Sequence, residues 1–307
     1  MEDPSRRRFS PAAVFFALLA LGLGIALYLK TRPPEEAKRP ARAPAPRHAV
    51  RRPKAAPPTA AAAPSPEPSP VPPGEARIGI VIDDLGNDAE ALERIARWPY
   101  AVAGAVLPGL PGSAAAARRL AASGKEVLLH LPMEPDGYPL VAPGPGVVLR
   151  SDTDDAIART VIEDLASVPG AVGVNNHMGS AATADSRVMR AVVHVLSQRG
   201  LFFIDSRTTE ATVARRVADE AALPAASRRV FLDATPSPSA IQRAYRELLA
   251  KAKKDGSALA IGHPHPATLE VLERELPRVR EEGIALVPVS RLAHAGKARG
   301  NVAALAP

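Results

Sequence analysis

The sequence predicts an α/β domain over residues 76–296: a distorted (β/α) barrel of seven to eight mostly parallel strands. Three observations carry this. Apolar runs recur every 20–30 residues, amphipathic stretches of helical spacing lie between most of them, and Gly or Pro marks the breaks. Repeated β-α-β order imposes right-handed crossovers and a largely parallel sheet. Seven or eight such units favour a closed or nearly closed barrel over an open sheet. In either case ligands gather at the carboxyl ends of the strands.

The remainder of the chain reads differently. Residues 1–10 form a short stub, and Pro11 to Leu29 (PAAVFFALLALGLGIALYL) hold no charge. As a helix they span about 28 Å, close to a bilayer core. Arg6, Arg7 and Arg8 precede this run and Lys30 follows it. An uncleaved anchor is favoured over a cleaved signal peptide, whose apolar core is shorter and ends in small residues. The downstream flank is also basic (Lys30, Arg32, Lys38, Arg39), so flanking charge leaves the orientation open. Residues 30–75 are a Pro/Ala-rich linker: 14 of the 33 prolines fall within 31–75. Such composition buries too little apolar surface to offset chain ordering and predicts a disordered or polyproline-like tether. Residues 297–307 read as a flexible tail.

The net charge of +7 belongs mostly to the amino-terminal part, where residues 1–75 carry 12 Lys/Arg against 6 Asp/Glu. No recognition motif accompanies it, so the sequence predicts no nucleic-acid partner; a basic tether suits anionic lipid or envelope polymer. With no cysteine, disulfides, thiolate catalysis and thiolate metal sites are excluded. No phosphate-cradling glycine loop, G-x-S-x-G elbow or zinc-ribbon spacing is present.

Within the domain, strands are predicted at Arg77–Ile82, Ala101–Leu107, Glu126–Leu131, Ala171–Val174, Leu201–Ile204, Val230–Leu232, Leu259–Ile261 and Ile284–Val287. Helices are predicted at Asp88–Trp98, Asp154–Ala166, Asp185–Gln198, Ser239–Lys254 and Thr268–Glu281. Asp88 and Ser239 act as starts, and Gly124, Gly200, Gly256 and Gly283 as stops. Polar residues able to do chemistry fall just after these strands: Asp83 and Asp84, His130, His177, Asp205, Asp233, His263 and His265.

Each cluster has a plain structural reading beside a chemical one. Asp83-Asp84 ends a buried strand; adjacent carboxylates repel unless a cation is near or one is protonated. One could bind a divalent metal while the other accepts a proton from water, or the pair could merely lead into the helix at Asp88. His130 and Glu134, four apart, offer N and O ligands suited to Zn²⁺, against a satisfied core histidine and a solvated glutamate. Asn175-Asn176-His177 is rich in hydrogen-bonding groups, with His177 a ligand or catalytic candidate or part of an Asn-stabilised turn. Asp205 with Arg207 grips substrate or forms a structural bridge. His263 and His265 are set among prolines at a strand end, and either could act as a general acid.

The segments IGIVIDDLG, KEVLLHLPMEP, GVNNHMGSAAT, FFIDSRTT, VFLD and IGHPHPATL, in this order over residues 78–269, resemble the divergent polysaccharide deacetylase family, a distant branch of the NodB-type carbohydrate esterases. The resemblance implies a NodB-like barrel with a divalent metal, often zinc, at the strand ends. It assigns Asp83 as catalytic base, Asp84 and His130 as metal ligands, and His263 as catalytic acid. Glu134 stands where typical members have a second histidine, so Glu134 and His177 are both candidates for the remaining ligand. Asn176, Asp205, Arg207 and His265 are expected to contact substrate. The implied activity is metal-dependent removal of acetyl groups from an envelope polysaccharide or peptidoglycan. By the same analogy the domain faces the periplasm or cell wall from a single-pass anchor in the inner membrane. Two other readings compete: a weakly active or inactive glycan- or partner-binding domain, motivated by Glu134, and a metal-dependent phosphoesterase.

Overall fold

The computed structural model describes residues 75–295. The stub, the anchor expected at Pro11–Leu29, the linker expected over 30–75 (apart from Glu75) and the tail lie outside the described residues. Among the described residues, no helix is long and apolar enough to cross a membrane.

The chain alternates strands and helices: β1 (Ala76–Leu85), α1 (Ala89–Ala96), β2 (Ala103–Val106), α2 (Ser113–Ala122), β3 (Val127–Met133), α3 (Asp154–Ser167), β4 (Ala171–Met178) and α4 (Ser186–Arg199). Then follow β5 (Phe202–Asp205), α5 (Ala214–Glu220), β6 (Ala225–Ser227), β7 (Val230–Phe231), α6 (Pro238–Asp255), β8 (Ser257–Gly262), α7 (Pro266–Glu275) and β9 (Ile284–Leu286). All nine strands form one parallel sheet, ordered β6-β5-β4-β3-β2-β1-β8-β7, with β9 beside the start of β1.

The sheet is curled, and its two end strands are consecutive in sequence. Only Arg228 and Arg229 separate β6 from β7. The Arg228 N–H donates to the Asp205 carbonyl at 2.9 Å, and the Arg229 N–H to the Leu259 carbonyl at 2.8 Å. One short stretch thus bonds β5 with its first half and β8 with its second. The sequence reading places a strand at Val230–Leu232 alone; the preceding Ala-Ala-Ser is too short and too close to two arginines to register as one.

Alternation along each strand sorts the core. Ile78, Ile80 and Ile82 of β1 pack outward under the helices with Leu129, Val174, Phe203 and Ala260. Val81, Leu128, Ile204, Leu259 and Ile261 meet inside the curl. Gly173 gives way to a neighbour: a Cβ there would lie 2.5 Å from the Phe202 ring.

Helix ends follow capping chemistry. Asp88 accepts the Ala91 N–H at 2.9 Å, and Gly200 and Gly256 end α4 and α6 in the left-handed conformation. Two starts and ends differ from expectation. Ser237, not Ser239, caps α6, with Pro238 in its first turn. Helix α7 runs Pro266–Glu275 and then tightens into a 3-10 turn, because Pro277 has no N–H to continue it. The Ala-rich α2, foreseen only through its stop at Gly124, and the short α5 are not among the predicted helices.

One buried carboxyl lacks compensation. Asp164 of α3 is 7% exposed and its Oδ2 has no hydrogen-bond partner. Burial, aided by neighbouring Glu163, raises its pKa to about 7. The folded chain therefore holds this proton more tightly than the unfolded chain. Stability is greatest near or below the unfolded value of about 4 and falls as pH rises toward 7. The loss is on the order of 4 kcal/mol. Asp164→Asn is expected to raise Tm at pH 8 and to change it little at pH 4, measured by thermal denaturation at both values.

Candidate metal centre

Interior alternation delivers the polar groups. Continuing each inward row past the last apolar residue leads from Val81 to Asp83, from Leu128 to His130, and from Gly173 to Asn175 and His177. On the other strands it leads from Ile204 to Ser206 and from Ile261 to His263. Parallel pairing puts His130 beside Asn175 and Pro132 beside His177. These groups meet at one rim of the curl because every strand points the same way.

Asp84 does not obey this rule. Alternation would send it outward, yet it faces the cleft. Between Ile82 and Leu85 the register of β1 against β2 slips by one residue, and Asp84 adopts φ +57°. The extra residue and the left-handed turn swing Asp84 back beside Asp83 while Leu85 returns to the outer core. Met178 and Arg207 also have positive φ and line the same cleft, so three of the four such non-glycine residues among the described residues surround it.

Asp84 Oδ1, His130 Nε2 and His177 Nδ1 form a nearly equilateral triangle. The separations are 3.2 Å from Asp84 to His130, 3.1 Å from Asp84 to His177 and 3.1 Å between the two rings. Ligands about 2.0–2.2 Å from one ion stand roughly 2.8–3.6 Å apart, between octahedral and tetrahedral geometry. Asp84 Oδ1 is buried, and although near both nitrogens it makes no well-directed hydrogen bond. An orphaned carboxylate oxygen facing two imidazole nitrogens fits a divalent cation.

Hydrogen bonding behind the triangle fixes the state of His130. Asn175 Nδ2 donates to Asp83 Oδ1 at 2.8 Å, which leaves Asn175 Oδ1 to face His130 Nδ1 at 3.0 Å. That oxygen only accepts, so Nδ1 carries a proton and Nε2 can present a lone pair to the triangle. Asn175 therefore orients both a ring of the triangle and the neighbouring carboxylate.

The two aspartates are driven apart electrostatically. Asp83 is 3% exposed, and burial raises its pKa despite the opposing influence of His130 and the Asn175 bond. Burial also opposes the charge on Asp84, but the two imidazoles beside it outweigh that and hold its carboxyl far below the usual range. Asp84 is thus the ionised ligand candidate and Asp83 the more basic partner.

A second unit stands across the cleft. His263 Nδ1 lies 3.0 Å from Asp233 Oδ1, the His263 N–H donates to Asp233 Oδ2, and Thr268 donates to Asp233 Oδ2 at 2.8 Å. His263 Nε2 points to Asp84 Oδ2 at 3.8 Å. Burial disfavours the imidazolium, but Asp233 reverses this and raises the His263 pKa. A cleft of about 570 Å³ connects the units, lined also by Arg207, Arg228 and Phe231.

Of the remaining expected site residues, Asn176 and Arg207 line the cleft, whereas Glu134, Asp205 and His265 do not. Glu134 does not join the triangle: its carboxylate accepts from the Arg150 N–H at 2.6 Å and pairs with the Arg150 guanidinium at 3.0 Å. Asn176 has the opposite strand parity to Asn175; it donates to the Met178 carbonyl and accepts from the Ser206 N–H. Asp205 faces away from the interior, bonded to the Arg207 N–H and to Thr212. It forms no ion pair with the Arg207 side chain. His265 precedes α7 and stacks obliquely near His263, 5.7 Å between ring centres. It groups with Asp233 and His263 but does not line the cleft. Asn175 and Arg228 were not picked out from sequence, and Asp233 was noted there only as a strand-end carboxylate. The parity of β4 singles out Asn175 over Asn176.

Comparison with known proteins bears on the family and the fold. The sequence pattern described as divergent polysaccharide deacetylase matches residues 80–293. An uncharacterized protein of Haemophilus influenzae is 34% identical over 223 residues, covering 71% of this chain and 77% of its own. The uncharacterized protein YibQ of Escherichia coli is 37% identical over 217 residues, covering 70% and 67% respectively. A crystal structure of an uncharacterized protein from Agrobacterium tumefaciens C58 shares the fold, with a TM-score of 0.70 at 23% identity over 75% of this chain and 92% of that one.

The triangle predicts one equivalent of divalent metal per chain. Zinc titration of the full chain should show Asp84→Ala and His177→Ala losing stoichiometric binding, and Asn175→Ala weakened about 10- to 100-fold. Glu134→Gln should bind as the unaltered chain does. Loss of metal in Glu134→Gln would restore Glu134 as a ligand.

Proposed function

This chain belongs to the divergent polysaccharide deacetylase family, and we propose that it is a metal-dependent hydrolase that removes acetyl groups from an envelope glycan. The observation that carries this reading is the Asp84–His130–His177 triangle, with a basic carboxylate on one side and an oriented imidazole on the other. Two imidazoles and one carboxylate suit zinc among the common divalent ions. The ion, held by Asp84, His130 and His177, would polarise an acetyl carbonyl and acidify a water.

The remaining chemistry belongs to side chains. Asp83 takes the proton of the attacking water as the new C–O bond forms; its raised pKa makes it a better base than an ordinary aspartate. Asn175, bonded to Asp83 Oδ1, leaves Oδ2 for that proton. His263 donates from Nε2 to the departing nitrogen as the C–N bond breaks, giving acetate and a free amine. Asp233 holds the opposite ring nitrogen, fixing the tautomer and favouring the imidazolium. A glycan substrate in the envelope accords with the anchor and tether expected over residues 11–75, which would carry the domain outside the membrane.

Acetate release by the full chain from chitooligosaccharide and from peptidoglycan tests the reading. Asp83→Asn should lower the rate about 10²- to 10⁴-fold while keeping the metal. The imidazolium is the active form of His263, so activity falls as pH rises through its raised pKa. Asp233→Asn removes the charge that raises it and should move this falling limb to lower pH. A folded, metal-loaded chain that releases no acetate from either glycan would leave binding without hydrolysis as the function.

A further inference from the structure

A second cavity, about 630 Å³, opens beside the cleft, and the two share only Arg207 and Arg228 in their linings. It is strongly basic, lined also by Arg215, Arg229 and Lys251. Those three are already matched: Arg215 with Asp219, Arg229 with Asp255 and Lys251 with Glu247. Among the described residues, Arg207 and Arg228 have no ion-pair partner.

Their placement is enforced. Arg228 donates from Nε to the Ser206 carbonyl at 2.6 Å and from Nη2 to the Arg207 carbonyl at 2.7 Å. Two neutral acceptors fix the guanidinium without giving it an ion-pair partner and leave several N–H groups free. Arg207 is exposed and held in a left-handed turn, its N–H bonded to Asp205. Burial disfavours charge on Arg228, and the like charge of Arg207 adds to this. An anion bound between them would relieve both costs.

The position of this pair relates it to the reaction. The Phe231 ring lies 5.1 Å from the Arg228 guanidinium carbon and 5.3 Å, centre to centre, from the His263 ring. The guanidinium is therefore at most about 10.4 Å from the His263 ring centre. That distance corresponds to the same sugar as the reacting acetamido group or its neighbour.

We propose that Arg207 and Arg228 form an anion subsite that selects a glycan bearing a carboxylate or phosphate close to the acetamido group, over a neutral glycan. This rests on the hydrolase reading for its place in the reaction, but binding tests it independently of turnover.

The test is calorimetric titration of the full chain, in the Asp83→Asn background so that ligand persists. Three short N-acetylated oligosaccharides serve as probes: neutral, carboxylate-bearing through a lactyl ether, and phosphate-bearing. An acidic probe is expected to bind about tenfold more tightly than the neutral one at low salt, as a charge-assisted contact supplies. The preference should shrink as ionic strength rises. Arg207→Ala should reduce it to within about twofold, and Arg207→Lys should retain part of it, because the charge remains without the planar fork. Preference for the carboxylate or the phosphate arm identifies the anion. Equal affinity for neutral and acidic probes, no binding of either acidic probe, or a preference untouched by Arg207→Ala overturns the subsite. Acetate release separates the two readings. Equal release from neutral and acidic glycans, without a binding preference, sinks the subsite and keeps the hydrolase; an Arg207-dependent preference without acetate release does the reverse.

Discussion

Two adjacent carboxylates must face one buried cleft, and much of the surrounding structure follows from that requirement. A regular strand cannot do this, since alternation sends neighbours to opposite faces. The slip in register after Ile82 and the left-handed Asp84 solve the geometry, at a cost that the flanking β2 and β8 pairings absorb. The electrostatic problem remains, because like charges on neighbouring residues cannot both ionise freely in a desolvated site. It is met by asymmetry. Asp84 is placed against two imidazoles, whereas Asp83 is buried deeper and held by a neutral amide. One carboxylate becomes a fixed charge and the other a group able to take up a proton.

Much of this site was legible because the same period of two that builds the barrel interior also aims its polar ends. Val81 predicts the direction of Asp83, Leu128 that of His130, and Ile261 that of His263. The rule also explains why Asp205, attractive as a residue type, stands behind the cleft: it occupies the outward phase of its strand. Applied strictly to β4, it favours Asn175. The eight strands found from apolar runs are all present, and the helices found by periodicity start or end within a few residues of their expected limits.

What escaped the sequence depended on irregularity or on long-range partners. The inward turn of Asp84 comes from a bulge that no apolar pattern marks. The division of one strand into β6 and β7 turns on which carbonyl each of two arginine amides finds, Asp205 or Leu259. Glu134 keeps its spacing from His130, but the loop that follows brings Arg150 to it. A carboxylate that receives a backbone N–H and a guanidinium is already satisfied. Residue type and spacing nominate a ligand; competition from the rest of the fold decides whether it is free to act.

That competition also divides the cations of the domain. Arg150, Arg215, Arg229 and Lys251 are matched with acidic side chains and serve the fold. Arg228, between β6 and β7, instead spends its bonds on backbone carbonyls of the loop after β5, so the junction of the two end strands and the charge at the cleft rim share one side chain. The seam places positive charge in the lining of the same cleft that holds the Asp84 triangle. A ligand bearing both an acetamido group and an anion could meet the two charged regions at once, each held by scaffold bonds formed before it arrives. Orientation would then be fixed by two separate contacts, with the scissile bond between Asp83 and His263.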